Sequence, residues 1–568
     1  MVRPDVQRGA AQEPATAPLL PPLYYLDNFE ALWRVVRQRY ADLLTPEEAG
    51  LMARFEAAPQ PVRCLFVRLL TRRGSHFRVS RLDYPELGEL APAVRGLLEA
   101  DLAENCRELD VATLGQLFTR AELREAFAGE LADLPAAAAK GTLLAALEAR
   151  LENPLAACEA VCAGGREQII AVRGSETLQV LQLLFFGNTR QSLVDFVLSD
   201  IGVATYWPYA LDRSQRLFPD RAAVDVCLRV AALGDAHWQW RDAGDGEMLA
   251  ALVAEALALP DSVDAARARI HRLRNRLARD CERADCLQDA LSLYARSARH
   301  PARERRARVL ERLNEGRAAL ELCETALRDP WCEEERAAMR RIATRLRRRL
   351  YGQRRAASPV RFARRELCLP PASARVESLA AQALEAEGWD CVRHVENALF
   401  NGLFALAFWD ALFAPVAGAF HHPFQAGPAD MFSRDFRLRR AALLENRLQA
   451  LAACDLKAEL LNALERCAGY QCRWVDWRVL RPELVARAAT CIPFRHLVAA
   501  WRRLLFDPAE NRRGQPDLIA LGSRPGDYAL WEVKGPGDAL QPHQARWLDY
   551  LCGVGAPAGV LHVSWTHA

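Results

Sequence analysis

Residues 515–535 read QPDLIALGSRPGDYALWEVKG, and they constrain the fold more than any other stretch. "LIAL" and "YALWEVK" are apolar, β-prone runs. The "GSRPGD" between them is turn chemistry, so the stretch predicts a β-hairpin. Upstream, "ASARVESLAAQALEAEGWD" has the spacing of an amphipathic helix ending at a glycine. The C-terminal part of the chain is therefore expected to be an α/β domain.

The same stretch holds a lysine, and lysine is scarce here. The 75 basic residues include only Lys140, Lys457 and Lys534; the rest are arginine. On the predicted hairpin Asp517 starts the first strand. Glu532 and Lys534 are two apart on the second and share a face. Strand pairing can bring Asp517 alongside Glu532. Two carboxylates that close repel unless a cation separates them. Hard oxygen donors select Mg²⁺ or Mn²⁺, and the carbonyl of Val533 is a natural extra ligand. Lys534 is suited to orienting water and offsetting charge on a phosphate. A compact ammonium does this where the wide guanidinium of arginine would not, which accounts for a lysine kept at this position. The residues thus point to metal-dependent phosphodiester hydrolysis.

At 568 residues the chain is too long for one core. Its net charge of +3 does not argue for nucleic-acid binding by itself; clustering of arginine must do so. The 16 cysteines contain no C-x-x-C pair and read as reduced thiols of a cytoplasmic protein. Residues 1–21 have no signal-peptide core and read as a disordered lead. "ALFNGLFALAFWDALFAPVAGAF", residues 398–420, is long enough for a bilayer, but Asp410, Gly402 and Pro415 interrupt it. A helix buried inside a soluble domain is expected there, not a membrane span.

Before the hairpin region the chain reads as mostly helical. Residues 22–100 space Phe29, Leu32, Val35 and Val36 on one face, and Thr45 caps the next helix. Residues 109–151 hold two short helices, with Thr119 and Glu122 forming a capping box. This part resembles the SAP module, a helix-extended-helix DNA-binding unit that would use Lys140; a generic helical hairpin has the same pattern. Residues 245–355 are helical and arginine-rich, with His300-Pro301 and Asp329-Pro330 ending similar segments, a tetratricopeptide-like pattern without the full period. From Arg340 to Arg365 there are 11 arginines and no acid. A run without counter-charge favours an anionic partner, with Arg347, Arg348, Arg354 and Arg355 as DNA contacts; a solvated face is the other reading.

At "NRRGQPDLIAL" and "YALWEVKGPGDALQPHQARWLDYL", with "HVENALFNGLFALAFWDALFAPVAGAFHHPFQAGPADM" and "CIPFRHL", the chain resembles the VRR-NUC branch of the PD-(D/E)XK nucleases. With its helical N-terminal two-thirds it is similar to the bacterial Fanconi-associated nucleases. The resemblance implies a helical N-terminal DNA-binding region over 22–165 with the SAP-like unit near 109–151. A tetratricopeptide-like helical domain would follow over 166–365, and a VRR-NUC nuclease domain over 366–568. It implies a third acid before the hairpin, which the family motif places at Glu396 in "HVEN"; Glu377 in "RVESLA" is the rival on helical grounds. Gln425, Gln541 and Gln544 could orient water or phosphate, or serve core and loop hydrogen bonds. His394 and His543 read as structural. The implied activity is cleavage of 5′ flaps and 5′→3′ trimming of branched or flapped double-stranded DNA in interstrand-crosslink repair. A Holliday-junction-type resolvase and a non-catalytic DNA-binding scaffold are the alternatives. Vertebrate members carry a ubiquitin-binding zinc finger; this sequence has no such cysteine spacing, so ubiquitin-dependent recruitment is not expected.

Overall fold

The computed structural model describes residues 21–151, 160–162, 167–191, 204–353, 362–370 and 373–566. It divides into two compact units, Met1–Val203 and Ala204–Ala568.

In the first unit, helix Tyr24–Tyr40 buries Phe29, Leu32 and Val36. Thr45 and Glu48 close a full capping box on helix Pro46–Ala57. Helix Gln60–Leu70 follows, with Cys64, Leu65, Phe66 and Leu69 in the core. The all-helical expectation for residues 22–100 misses a small antiparallel sheet. Its order is β1 (His76–Arg78), β3 (Ile169–Val172), β2 (Ala103–Asn105). Strands of three or four residues are too short for period-two patterning, and β3 lies far along the chain from its partners. Helices Val111–Leu117, Arg120–Ala126 and Lys140–Arg150 form a separate small core around Leu114, Leu123, Leu143 and Leu147. The Thr119–Glu122 capping box is present.

The second unit opens with residues 204–216, a strap on the C-terminal core. Tyr209 stacks on Phe420 at 3.9 Å between centroids, and Trp207 packs edge-on to Trp409. That segment falls within the 166–365 span expected for the helical domain, yet it packs with the C-terminal residues. Five helices, Asp264–Arg283, Leu287–Ala295, Ala302–Arg312, Gly316–Arg328 and Glu333–Tyr351, then stack in sequence.

The C-terminal part is built on a mixed five-stranded sheet of order β4-β8-β7-β6-β5. Its strands are β4 (Ala363–Leu369), β5 (Cys391–His394), β6 (Leu518–Leu521), β7 (Tyr528–Lys534) and β8 (Ala558–Trp565). β6 and β7 are the predicted hairpin, antiparallel with Leu518 opposite Trp531. β8 runs parallel to both β7 and β4, and β5 is antiparallel to β6. One face carries Leu518, Ala520, Ala529 and Val533 under helix Val376–Ala386. The other carries Ile519, Leu521, Tyr528 and Leu530 under a larger core that includes Leu403, Trp501 and Trp547.

The apolar stretch 398–420 is buried but is not one helix. Helix Leu399–Ala407 stops, Trp409–Leu412 forms one more turn, and Pro415 follows in a loop. No helix among the described residues is long and apolar enough to cross a membrane.

Candidate active site

The hairpin register, carried one pair beyond Leu518–Trp531, sets Asp517 opposite Glu532. Alternation then puts Asp517, Glu532 and Lys534 on the face of Ile519, Tyr528 and Leu530. All three are buried, Glu532 with only 1% of its surface exposed. Lys534 Nζ donates to Glu532 Oε1 at 2.7 Å. The backbone N–H of Val533 donates to Asp517 Oδ2 at 2.8 Å.

This arrangement is electrostatically unbalanced. Burial, then the Asp517 carboxylate beside it, pushes the Glu532 carboxyl up to about 8, although Lys534 pulls the other way. Burial also raises Asp517; the Val533 N–H and Lys534 oppose the rise, and Glu396 adds to it. One ammonium does not neutralise two buried carboxylates with a third nearby. The protein accommodates this either with a shared proton or with a cation. The donors are carboxylate oxygens with the Val533 carbonyl directly after Glu532 in sequence, a set that fits a hard divalent cation.

Glu396 reaches the Asp517 carboxylate by another route. β5 pairs with β6 so that His394 faces Leu518, and the Val395 N–H donates to the Asp517 carbonyl at 2.8 Å. Glu396 therefore sits in the turn between β5 and helix Leu399–Ala407, not on the helix. One ligand atom from each of His394, Glu396 and Asp517 lies within 4.8 Å of the others. The turn holds its shape through Asn397, at φ +54°. Asn397 Oδ1 accepts from the Gln515 N–H at 3.1 Å. Gln515 Nε2 donates to Asn401 Oδ1, and Asn401 Nδ2 donates to the carbonyls of Asn397 and Arg512. This buried amide network ties the Glu396 turn to the loop before Asp517. Sequence reading missed it, because amides scattered over residues 397–515 form no local motif. Glu377 begins helix Val376–Ala386, which covers the opposite face of the sheet.

The remaining expected residues divide clearly. Gln425 Oε1 accepts from the His421 and His422 N–H groups, and its Nε2 donates to Ala419 and Gly427, so its amide pins a loop. Gln541 and Gln544 form a reciprocal capping box on helix Pro542–Gly553. That helix end packs on Gly514, whose φ of +76° and lack of a side chain are both required. A Cβ there would lie 2.5 Å from His543 Cδ2 and close to the 543–544 backbone. His543 is thus part of the support behind the Asp517 loop. Lys140, half-buried, begins its helix in the first unit. Arg347 pairs with Glu324 at 2.8 Å, while Arg348 is exposed on helix Glu333–Tyr351. Arg354 and Arg355 lie outside the described residues.

Three family profiles match the chain: the FAN1 HTH domain over residues 23–104, the Fanconi anemia-associated nuclease SAP domain over 108–154, and the VRR-NUC domain over 453–565. The chain is 36% identical to the Fanconi-associated nuclease 1 homolog of Pseudomonas aeruginosa across 97% of its length and 98% of that protein's. It is 25% identical to the homolog of Arabidopsis thaliana across 94% of its length and 66% of that protein's. A crystal structure of paFAN1 bound to 2-nt 5′-flap DNA with a gap superposes with a TM-score of 0.76 at 35% identity, covering 97% of this chain and 100% of that one. The chain belongs to the Fanconi-associated nuclease family, and it is a structure-specific nuclease that depends on a divalent cation.

Proposed function

We propose that this nuclease cuts 5′ flaps and trims DNA in the 5′→3′ direction, in the repair of interstrand crosslinks within a bacterial cytoplasm. Its cation is Mg²⁺ or Mn²⁺, held by Glu396, Asp517, Glu532 and the Val533 carbonyl. The observation that carries the reading is the buried convergence of Asp517, Glu532 and Lys534 on one sheet face. A relative matched over its whole solved chain, paFAN1, is seen bound to 5′-flap DNA.

The cation supplies charge neutralisation at the scissile phosphate and polarises the attacking water. The chain's own residues do the rest. Glu532 holds the Lys534 ammonium at 2.7 Å, so the cation of the side chain is fixed before substrate arrives. The Val533 N–H fixes one oxygen of Asp517 beside Glu532. Water forms the new P–O bond and the opposite ester oxygen leaves with a proton; Lys534 offsets the charge that builds on phosphate. Residues 22–165, with the SAP unit, and the helical stack within 166–365 form the DNA-holding parts. Residues 366–568 form the nuclease domain.

The test is a set of labelled 5′-flap, 3′-flap and four-way-junction substrates, each with Mg²⁺, with Mn²⁺ and with chelator. The reading expects metal-dependent cleavage with the 5′ flap preferred. Symmetric cutting of four-way junctions in preference would favour a resolvase. Tight binding without cleavage under any metal would favour a scaffold.

A further inference from the structure

We propose that His394 is itself a ligand of the catalytic cation, through Nε2, and that it biases the site toward Mn²⁺ over Mg²⁺. The inference rests on the metal-site reading above and extends its donor set from oxygen to nitrogen.

Three observations carry it. His394 ends β5 opposite Leu518, and the Val395 N–H after it bonds to the Asp517 carbonyl, so backbone pairing fixes the His394 Cα beside the Asp517 loop. Its Nε2 lies 3.9 Å from Glu396 Oε2, and one ring nitrogen of His394, one Glu396 oxygen and one Asp517 oxygen lie within 4.8 Å of one another. Two ligands at about 2.0–2.2 Å from one ion sit up to about 4.4 Å apart, so small side-chain rotations suffice to close this set on a metal. Finally, Lys534 is committed to Glu532, and the recorded partners of the Glu396 carboxylate are Asn397 Nδ2 and His394. Glu396 and His394 are both about half exposed, so an ion can reach them from solvent.

A surface ion pair between His394 and Glu396 would produce part of this geometry. The chemistry separates the two roles. Imidazole nitrogen is a softer donor than carboxylate. Mg²⁺ demands hard oxygen ligands, whereas first-row transition ions accept nitrogen. A site with one imidazole among carboxylates therefore favours Mn²⁺ more than an all-oxygen site would.

The full-length protein loaded with Mn²⁺ and without DNA is examined by pulsed electron paramagnetic resonance for coupling to a directly bound ¹⁴N. Calorimetry gives the Mn²⁺ and Mg²⁺ affinities of wild type, His394→Gln and His394→Asn, with a melting curve for each. The expected result is a ¹⁴N coupling in wild type that both variants lose. Mn²⁺ affinity should fall about tenfold while Mg²⁺ affinity changes less than about twofold. Because the wild-type spectrum needs no variant, misfolding of a mutant does not blunt the test. Mn²⁺ bound with no nitrogen coupling, or an unchanged Mn²⁺-to-Mg²⁺ preference in both folded variants, overturns this inference and leaves the carboxylate site standing. No Mn²⁺ or Mg²⁺ binding at all overturns the metal-site reading and this inference with it.

Discussion

Two glutamates are buried to a similar depth and behave in opposite ways. Glu282 belongs to the helical stack and Glu532 to β7. Burial alone would raise both. Around Glu282, Arg305 donates to both carboxylate oxygens and the Tyr294 hydroxyl donates at 2.6 Å, so the carboxyl is held below its usual range despite burial. Around Glu532, a single lysine faces a second carboxylate, and the carboxyl rises to about 8. In the stack, arginines meet acids from neighbouring helices: Arg303 with Glu335, Arg345 with Glu311, Arg347 with Glu324. At the sheet the acids outnumber the cation. A cluster that is balanced holds a fold together; one that is short of positive charge is built to receive it.

The largest effect that could break this contrast lies at the hairpin. Asp517→Ala, Glu532→Ala and Lys534→Ala should each lower the cleavage rate by about 10³-fold or more, with DNA affinity nearly unchanged, because affinity comes from phosphate contacts elsewhere. Lys534→Arg should be impaired almost as badly, since a guanidinium does not fit the 2.7 Å ammonium–carboxylate contact with Glu532 without displacing it. Near-normal turnover by Lys534→Arg would show that only the charge matters. Within the same site Glu396→Gln should remove nearly all activity across a metal titration. Glu377→Gln, on the helix covering the other sheet face, should retain a measurable part. The reverse ranking would move the third carboxylate to that helix.

Proton linkage gives the next test. In the metal-free protein Glu532 titrates near 8, against an ordinary 4.5. Between those values the folded state holds a proton that the unfolded chain has released. Metal-free stability should therefore fall as pH rises through this window. A cation must displace that proton, so its affinity should rise up to about tenfold per pH unit until about pH 8. Calorimetry of Mn²⁺ binding at pH 6, 7 and 8 reads this directly; a flat profile would mean the pair is already ionised. Glu282→Gln should lower the metal-free melting temperature, because it strips Arg305 of its ion-pair partner. Glu532→Gln should leave that temperature unchanged or raise it. Equal losses in both variants would erase the distinction between the two glutamates.

The hairpin was legible in the sequence because its information is local. Two apolar runs and a turn fix both the register and the facing of Asp517, Glu532 and Lys534. The Thr45 cap and the Thr119 capping box were legible for the same reason. What was hidden depends on distant partners. The strand pairing of β5 with β6, which brings His394 and Glu396 to Asp517, joins residues more than a hundred positions apart. So do the Asn397, Asn401 and Gln515 amides and the strap at Trp207 and Tyr209. For Gln425, Gln541 and Gln544 the sequence left two readings, handling of water or phosphate and core or loop hydrogen bonds, because a glutamine carries no mark of which backbone it will meet; in the structure they engage a loop and a helix cap. The arginine run misleads in a related way: it contains no acid of its own, but Glu311 and Glu324 come to it from other helices.

That last point sets the smallest expected effect. Of the run, Arg345, Arg347 and, past the helix, Arg365 are paired, whereas Arg340, Arg341, Arg348 and Arg349 are exposed on helix Glu333–Tyr351 and make no ion pair among the described residues. Free guanidinium groups on one helix are available to phosphates; paired ones must first give up a carboxylate. Changing Arg340, Arg341 and Arg348 together to Gln should weaken binding to flapped and plain duplex DNA alike. Each lost phosphate contact should reduce the slope of log affinity against log salt by about 0.9. Changing Arg345 and Arg347 together should move that slope less and the melting temperature more, because their partners Glu311 and Glu324 are left unpaired. Fluorescence anisotropy over a salt series, with a melting curve for each variant, separates the two sets. If both sets shift the slope equally, intrachain pairing does not screen an arginine from DNA, and the contrast between balanced and unbalanced clusters holds only for buried charge.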